Sequence, residues 1–164
     1  MKRTIYVFCA AVSALFVMVS CSKSEDNAGN NNKNLNIPAE AKAIIPEELI
    51  GKMKANGMTI NEGMNPPNIQ GIFATGDLKM TYTSLGDDDG YSVGQEIPSY
   101  RYKFYDQKGT KVKTDYINEW ITSTERATGR GTIISGEGNK FTAYLDVNIT
   151  NGEVKSRDVS VLSG

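Results

Sequence analysis

Histidine is absent from this 164-residue chain, and cysteine occurs only at positions 9 and 21. The absence of histidine excludes Ser-His-Asp triads, Cys–His nucleophiles, His/Cys zinc sites and haem held by histidine. Two cysteines this close to the N-terminus also give no disulfide framework. We therefore expect no metal and no cofactor, so that function rests on carboxylates, hydroxyls, basic side chains and aromatic rings.

The chain also has no large net charge of either sign. The chain has 18 Lys and Arg residues against 19 Asp and Glu residues. If an N-terminal leader is removed together with Lys2 and Arg3, 16 basic residues face 19 acidic ones, which is a net charge of −3. This balance offers no basic surface for nucleic acid, so nucleic acid is not an expected partner.

The long apolar run at residues 5–19 follows two basic residues and ends just before Cys21. It is shorter than the roughly 20 residues that a permanent membrane helix needs. A basic start, a short apolar segment and a small residue before the cleavage point predict a secretory signal over residues 1–20. The segment resembles a bacterial lipoprotein signal, with Met18-Val19-Ser20 before a lipidated Cys21. An ordinary signal cleaved elsewhere, with Cys21 incidental, is the alternative.

Residues 21–36 contain almost no apolar side chains, which predicts a lipidated, disordered tether. Its start, Ser22-Lys23-Ser24-Glu25-Asp26, resembles the acidic export tag of Bacteroidetes lipoproteins, although plain tether composition is an alternative explanation. The resemblance implies an outer-membrane lipoprotein exposed on the cell surface, with the membrane as its partner through the lipid anchor.

Residues 37–164 are predicted to form one β-rich domain that begins with one or two short helices. Pro38 and Pro46 suit the first helical position, and Gly57 suits a C-terminal cap. The pattern favours helices packed on the sheet; a lid or a membrane-facing helix is the alternative. Strands are predicted over residues 69–75, 78–85, 100–105, 111–122, 130–135, 141–149 and 154–162, with a turn at residues 125–129. The fold class is all-β, an antiparallel meander forming a lipocalin-like barrel or half-barrel.

Three motifs are similar to a group of uncharacterised Bacteroidetes lipoproteins: residues 45–50, Asn65-Pro66-Pro67-Asn68-Ile69 and Gly138-Asn139-Lys140-Phe141-Thr142. The similarity covers most of residues 38–150 and implies no catalytic residues. Members of the group continue beyond the equivalent of Gly164, which implies a shortened member or a truncated gene. Gly71-Ile72-Phe73 resembles the Gly-x-Trp strand of lipocalin-like barrels, with Phe73 in place of tryptophan.

Aromatic residues recur at strand spacing and are the candidate ligand site. Phe104 and Trp120 are predicted to be core residues. The candidates for contact with a small amphipathic or sugar-like ligand are Tyr100, Tyr102, Tyr116 and Tyr144. This predicts a binding or accessory module. A structural partner of an envelope protein, or a homodimer, is the alternative.

The sequence gives weaker support to two other kinds of site, a calcium site and a pair of catalytic carboxyl groups. Residues 86–90 are rich in aspartate, but Leu85 interrupts the alternating oxygen ligands of an EF-hand, so a solvated turn is preferred to calcium. A glycoside hydrolase needs two paired carboxyl groups. The available acids are Glu119, Glu125, Glu137 and Asp146, and no spacing in the sequence pairs them. We therefore expect no enzymatic activity.

Overall fold

The computed structural model describes residues 14–16, 35–84, 91–120 and 122–164. Cys21, the rest of the predicted signal and tether before residue 35, and the calcium candidate at residues 86–90 lie outside these ranges. The strands are β1 (Ala14–Phe16), β2 (Met64–Asn65), β3 (Gly71–Ala74), β4 (Leu78–Thr83), β5 (Glu96–Ile97), β6 (Tyr100–Lys108), β7 (Lys111–Asn118), β8 (Arg126–Glu137), β9 (Lys140–Asn151) and β10 (Val154–Ser163).

Both predicted helices are present, as α1 (Ala39–Ile44) and α2 (Glu47–Ala55). Pro38 and Pro46 stand one residue earlier than expected, as the N-caps. Helix α2 has the predicted C-terminal cap at Gly57, two residues beyond the last helical residue, and the φ of Gly57 is +94°. The Met58 N–H donates to the Met53 carbonyl at 3.0 Å and the Gly57 N–H donates to the Lys54 carbonyl at 3.1 Å. This pair of bonds is a Schellman motif, which satisfies the last carbonyls of the helix.

The main sheet is an antiparallel meander, and this confirms the fold class at the level of a half-barrel. Its order is β10-β9-β8-β7-β6-β3, with β2 added beside β8, and a smaller sheet has the order β1-β4-β5. In the described part of the chain, β10 pairs with β9 and β3 pairs with β6, so the two end strands do not close a barrel. Neither described helix has the length and apolar run needed to cross a membrane.

Three hairpins of the meander share one turn design. Each has two loop residues, between Lys108 and Lys111, between Glu137 and Lys140, and between Asn151 and Val154. The first loop residue is always glycine, with φ between +57° and +66°. Only glycine takes this conformation without steric cost, and a glycine at the first loop position matches the twist of paired strands.

The turn predicted at residues 125–129 is wrong, because β8 already begins at Arg126. Gly129 is a strand residue whose added Cβ would lie 2.5 Å from the Thr114 carbonyl oxygen. The glycine therefore marks a close approach of β7, beside a bulge between Gly129 and Gly131. The connection from β7 to β8 lies earlier, at residues 119–125.

The main sheet has a buried cluster on each face. We call one the tyrosine face: it carries Tyr102, Phe104 and Leu145, and it packs against Met80 and Ile97 of the smaller sheet. The other is the helix face, where Tyr144 lies in a cluster with residues of α1 and α2. The predicted alternation along β9 is confirmed, since Ala143, Leu145 and Val147 belong to the tyrosine face.

Candidate functional site

Five aromatic rings form a continuous row across strands β3, β6 and β7, on the tyrosine face. Centroid separations are 6.1 Å for Phe73–Phe104, 6.2 Å for Phe104–Tyr102, 5.2 Å for Tyr102–Tyr116 and 5.5 Å for Tyr116–Tyr100. These separations are within the range of favourable ring pairs. The structure thus brings together three of the four predicted tyrosines, and Phe104 is buried as predicted.

The row ends in a hydrogen-bonded network where β6 begins and β7 ends. The Asn118 Nδ2 group donates to the Tyr100 hydroxyl oxygen at 3.1 Å and to Glu125 Oε2 at 3.4 Å. The Tyr116 hydroxyl donates to Glu125 Oε1 at 3.2 Å. Asn118 and Glu125 are half-buried, whereas both tyrosine rings are buried. The rings thus hold two polar side chains at the boundary between core and solvent.

A second polar pair lies beside this network. The Glu119 carboxylate forms an ion pair with Arg101 at 2.5 Å and accepts a hydrogen bond from the Ser99 hydroxyl at 2.7 Å. The Glu119 N–H also donates to the Ser99 carbonyl at 2.9 Å, which fixes the connection to the start of β6. Arginine, asparagine and two carboxylates are therefore held at one end of the sheet.

Trp120 is 56% exposed, so its prediction as a core residue is wrong. Strand β7 ends at Asn118, and Trp120 therefore lies outside the alternation that buries Tyr116. The backbone N–H of Trp120 donates to Asn118 Oδ1 at 2.9 Å. The same asparagine thus contacts Tyr100, Glu125 and the backbone of the exposed Trp120, two residues further along the chain.

The tyrosine hydroxyls of the row are neutral at physiological pH. Burial raises the pKa of Tyr100 and Tyr116, and the negative charge of Glu125 raises it further. Burial is also the largest cause of the raised pKa of Tyr102. Neutral hydroxyls can both donate and accept hydrogen bonds, so in this network the charge lies on Glu125 and not on the tyrosines.

Asp158 is a residue of this face that sequence reasoning missed. It is 3% exposed and pairs in register with Val147, a residue of the tyrosine-face cluster. Its charge contributes to the raised pKa of Tyr100, Tyr102 and Tyr116. The signal available in the sequence was an aspartate at an inward position of the last strand, two residues before Ser160.

Tyr144 lies on the helix face and is separated from the other three tyrosines by the sheet. Its hydroxyl is 3.2 Å from the Ser135 Oγ, which donates in turn to the Asn61 carbonyl at 2.5 Å. Burial raises the pKa of Tyr144 to about 12. This tyrosine joins the sheet to the segment after α2.

The other sequence candidates are dispersed. Asp146 forms a two-point ion pair with Arg157 at 2.7 and 2.6 Å, and Glu137 ends β8 beside the Gly138 turn. Only Glu119 and Glu125, of the four candidate acids, share one end of the sheet. Within the described ranges, no three acidic side chains cluster as a metal site would require.

Comparison with known proteins yields no match to a protein family, to a curated protein or to a solved structure. Any function assigned to this chain therefore rests on its own sequence and on the geometry of this site.

Proposed function

We propose that this protein is a lipid-anchored binding or accessory module of the cell envelope, which takes a small amphipathic or sugar-like ligand. Support for the location comes from residues 1–26, where a short apolar signal meets Cys21 and an acidic segment. In this proposal Cys21 carries the lipid, and the polar residues after it hold the β-rich part away from the outer membrane.

The observation that carries the ligand proposal is the exposed Trp120 beside the Asn118–Glu125 network. A sugar presents hydroxyl groups around its edge and apolar C–H groups on its faces. An exposed indole offers a surface for such a face, and amide and carboxylate groups pair with hydroxyls. Tyr100 and Tyr116 orient these polar groups. Tyr102 and Tyr144 are packing residues in this proposal.

The chain offers a direct optical test, because Trp120 is its single tryptophan. We expect oligosaccharides built from glucose, xylose or N-acetylglucosamine, titrated into the full chain in detergent, to change the tryptophan emission in a saturable way. Glu125→Gln should weaken binding at least tenfold. Glu137→Gln, at the other end of the sheet, is the matched control and should bind like the wild type.

Absence of a saturable change with every oligosaccharide and with envelope lipid micelles would contradict the proposal. If Glu125→Gln and the wild type bind the oligosaccharide with equal affinity, the ligand binds at another surface.

A second candidate function is that of an interaction lipoprotein, a structural partner of other envelope proteins or of its own copies. The observation that favours it is the exposed edge strand β3, where Ile72 is 66% and Phe73 is 50% exposed. We propose no catalytic role. In support of this, Glu119 and Asp146 are each engaged in an ion pair with an arginine.

A further inference from the structure

The two ends of the main sheet differ in how they are protected from other strands. The exposed half of β10 carries Lys155 and Arg157, and the half from Asp158 onward is almost entirely buried. Charged side chains at an edge disfavour pairing with another chain. By contrast, residues 63–76, which include β3, contain no charged residue. The β3 edge therefore lacks the charged side chains that disfavour strand pairing at the β10 edge.

Strand β3 directs hydrogen-bonding groups outward at alternate residues. The Thr75 N–H donates to the Tyr100 carbonyl at 2.9 Å, and Phe73 is opposite Tyr102. The N–H and C=O groups of successive strand residues point in opposite directions. Those of Phe73 and Thr75 therefore point towards β6, and those of Ile72 and Ala74 point away from it. Ile72, Phe73 and Ala74 are all exposed, so this outer edge is accessible.

We propose that β3 pairs antiparallel with β3 of a second copy of this chain, around a twofold axis at Phe73. This register places Ile72 opposite Ala74 of the partner subunit, so that the outward groups of both strands meet. Phe73 then faces Phe73 of the partner subunit as a non-hydrogen-bonded pair, with Cα atoms about 4.5 Å apart. Aromatic pairs at such positions stabilise a sheet. The aromatic row would continue across the interface into the second copy.

The charge pattern favours a second copy over a different protein. A twofold axis brings the same edge of both copies together, so a charged edge strand would repel itself, whereas the uncharged β3 does not. Among the residues that the structure describes, the charged side chains opposite β3 in the register are Lys103 and Arg101 of β6, one strand inward. Across the axis the two copies of β6 are three strand spacings apart, roughly 14 Å. That distance exceeds the Debye length of about 10 Å, so the repulsion is largely screened.

The test compares oligomeric state by sedimentation velocity, with the full chain in detergent at increasing protein concentration. We expect a monomer–dimer equilibrium for the wild type. Ile72→Lys should raise the dimer dissociation constant at least tenfold, because it puts charge on the edge. Val93→Lys is the matched control, since Val93 is 65% exposed and lies outside β3. It should dimerise like the wild type.

Ala74→Pro provides a second variant that is independent of charge. It removes an N–H that points away from β6, so it should abolish the dimer and leave the β3–β6 pairing intact. Near-ultraviolet circular dichroism checks that each variant is folded. In addition, oxidation of Phe73→Cys should yield a covalent dimer above the background of the wild type, and Trp120→Cys should not.

Two results would overturn the proposal. If the wild type stays monomeric at every concentration, β3 does not pair with a second copy, and a strand of another protein becomes the candidate partner. A dimer that persists in both Ile72→Lys and Ala74→Pro would place the interface elsewhere. Because Trp120 and Glu125 lie outside β3, the oligosaccharide titration and this experiment can fail independently.

Discussion

Single buried hydroxyl groups differ sharply in their surroundings. Thr132 is 2% exposed, and its Oγ1 has no hydrogen-bond partner among the described residues. Thr142 is fully buried, but its Oγ1 accepts the Asn61 N–H at 2.8 Å and lies 3.0 Å from the Ser163 Oγ. A buried hydroxyl without a partner costs free energy, whereas one that satisfies a neighbouring N–H is hard to remove.

Threonine-to-valine substitutions should therefore have opposite effects at these two positions. We expect Thr132→Val to raise the free energy of unfolding by up to about 1 kcal/mol, and Thr142→Val to lower it by about 1–3 kcal/mol. Urea unfolding of the two variants measures both changes. Equal destabilisation by the two would mean that the Thr132 hydroxyl has a partner after all.

The buried tyrosines predict a pH dependence of stability. Unfolded tyrosines ionise near pH 10. Burial raises the pKa of Tyr100, Tyr102 and Tyr116 above that value in the folded protein. The folded state then holds protons that the unfolded state loses, so their contribution to stability is intact below about pH 10 and falls as the pH rises further. Chemical unfolding between neutral pH and pH 11 should show this decline.

Tyr102→Phe should make the alkaline decline shallower, because one buried ionisable group is removed. A slope unchanged from that of the wild type would contradict the assignment of the effect to this tyrosine.

At the scale of elements, helix α2 contains one glycine in its middle and is capped by another just after its end. Gly51 is an exposed helical residue, and a Cβ added there would meet no atom within 4 Å. Gly57 has equal space but a φ of +94°, which a residue with a Cβ rarely adopts. Space is thus equal at the two positions, and only the backbone conformation differs.

Alanine should stabilise the helix at one position and destabilise it at the other. We expect Gly51→Ala to raise the free energy of unfolding by roughly 0.5–1 kcal/mol, because alanine has the higher helix propensity. Gly57→Ala should lower it by about 1 kcal/mol, because the left-handed cap is strained. Thermal unfolding of both variants measures the difference. A gain at both positions would show that the cap relaxes without cost.

At the scale of the whole molecule, the proposed anchor is the property that fixes where the protein acts. Fatty acyl chains bind a membrane by about 0.8 kcal/mol per buried CH₂ group, and stable anchoring takes at least two signals. We expect the wild type to incorporate an alkyne fatty acid and to sediment with membranes. Cys21→Ser should lose both properties. Cys9→Ser, inside the predicted signal, is the control and should keep them, and equal labelling of both variants would contradict the role of Cys21.

Local sequence was sufficient for the parts of this fold that depend on local contacts. The proline starts and the Gly57 end of the helices follow from backbone restrictions within a few residues. The alternation of Ala143, Leu145 and Val147 identified one face of β9, because side chains of a strand point to opposite sides in turn. Glycine-containing turns separated the predicted strands, and together these features predicted an antiparallel meander.

The tertiary structure decided which faces were covered and which residues became neighbours. Trp120 is exposed because β7 ends before it, and Gly129 serves a close strand contact where a turn was predicted. Tyr100, Tyr102 and Tyr116 meet while Tyr144 lies behind the sheet, since strand order and register determine the neighbours of a side chain. A sequence pattern specifies the direction of a side chain along its own strand. The environment on that side depends on distant residues, and this is why the network at Asn118 and Glu125, the burial of Asp158 and the open β3 edge emerged only in the folded chain.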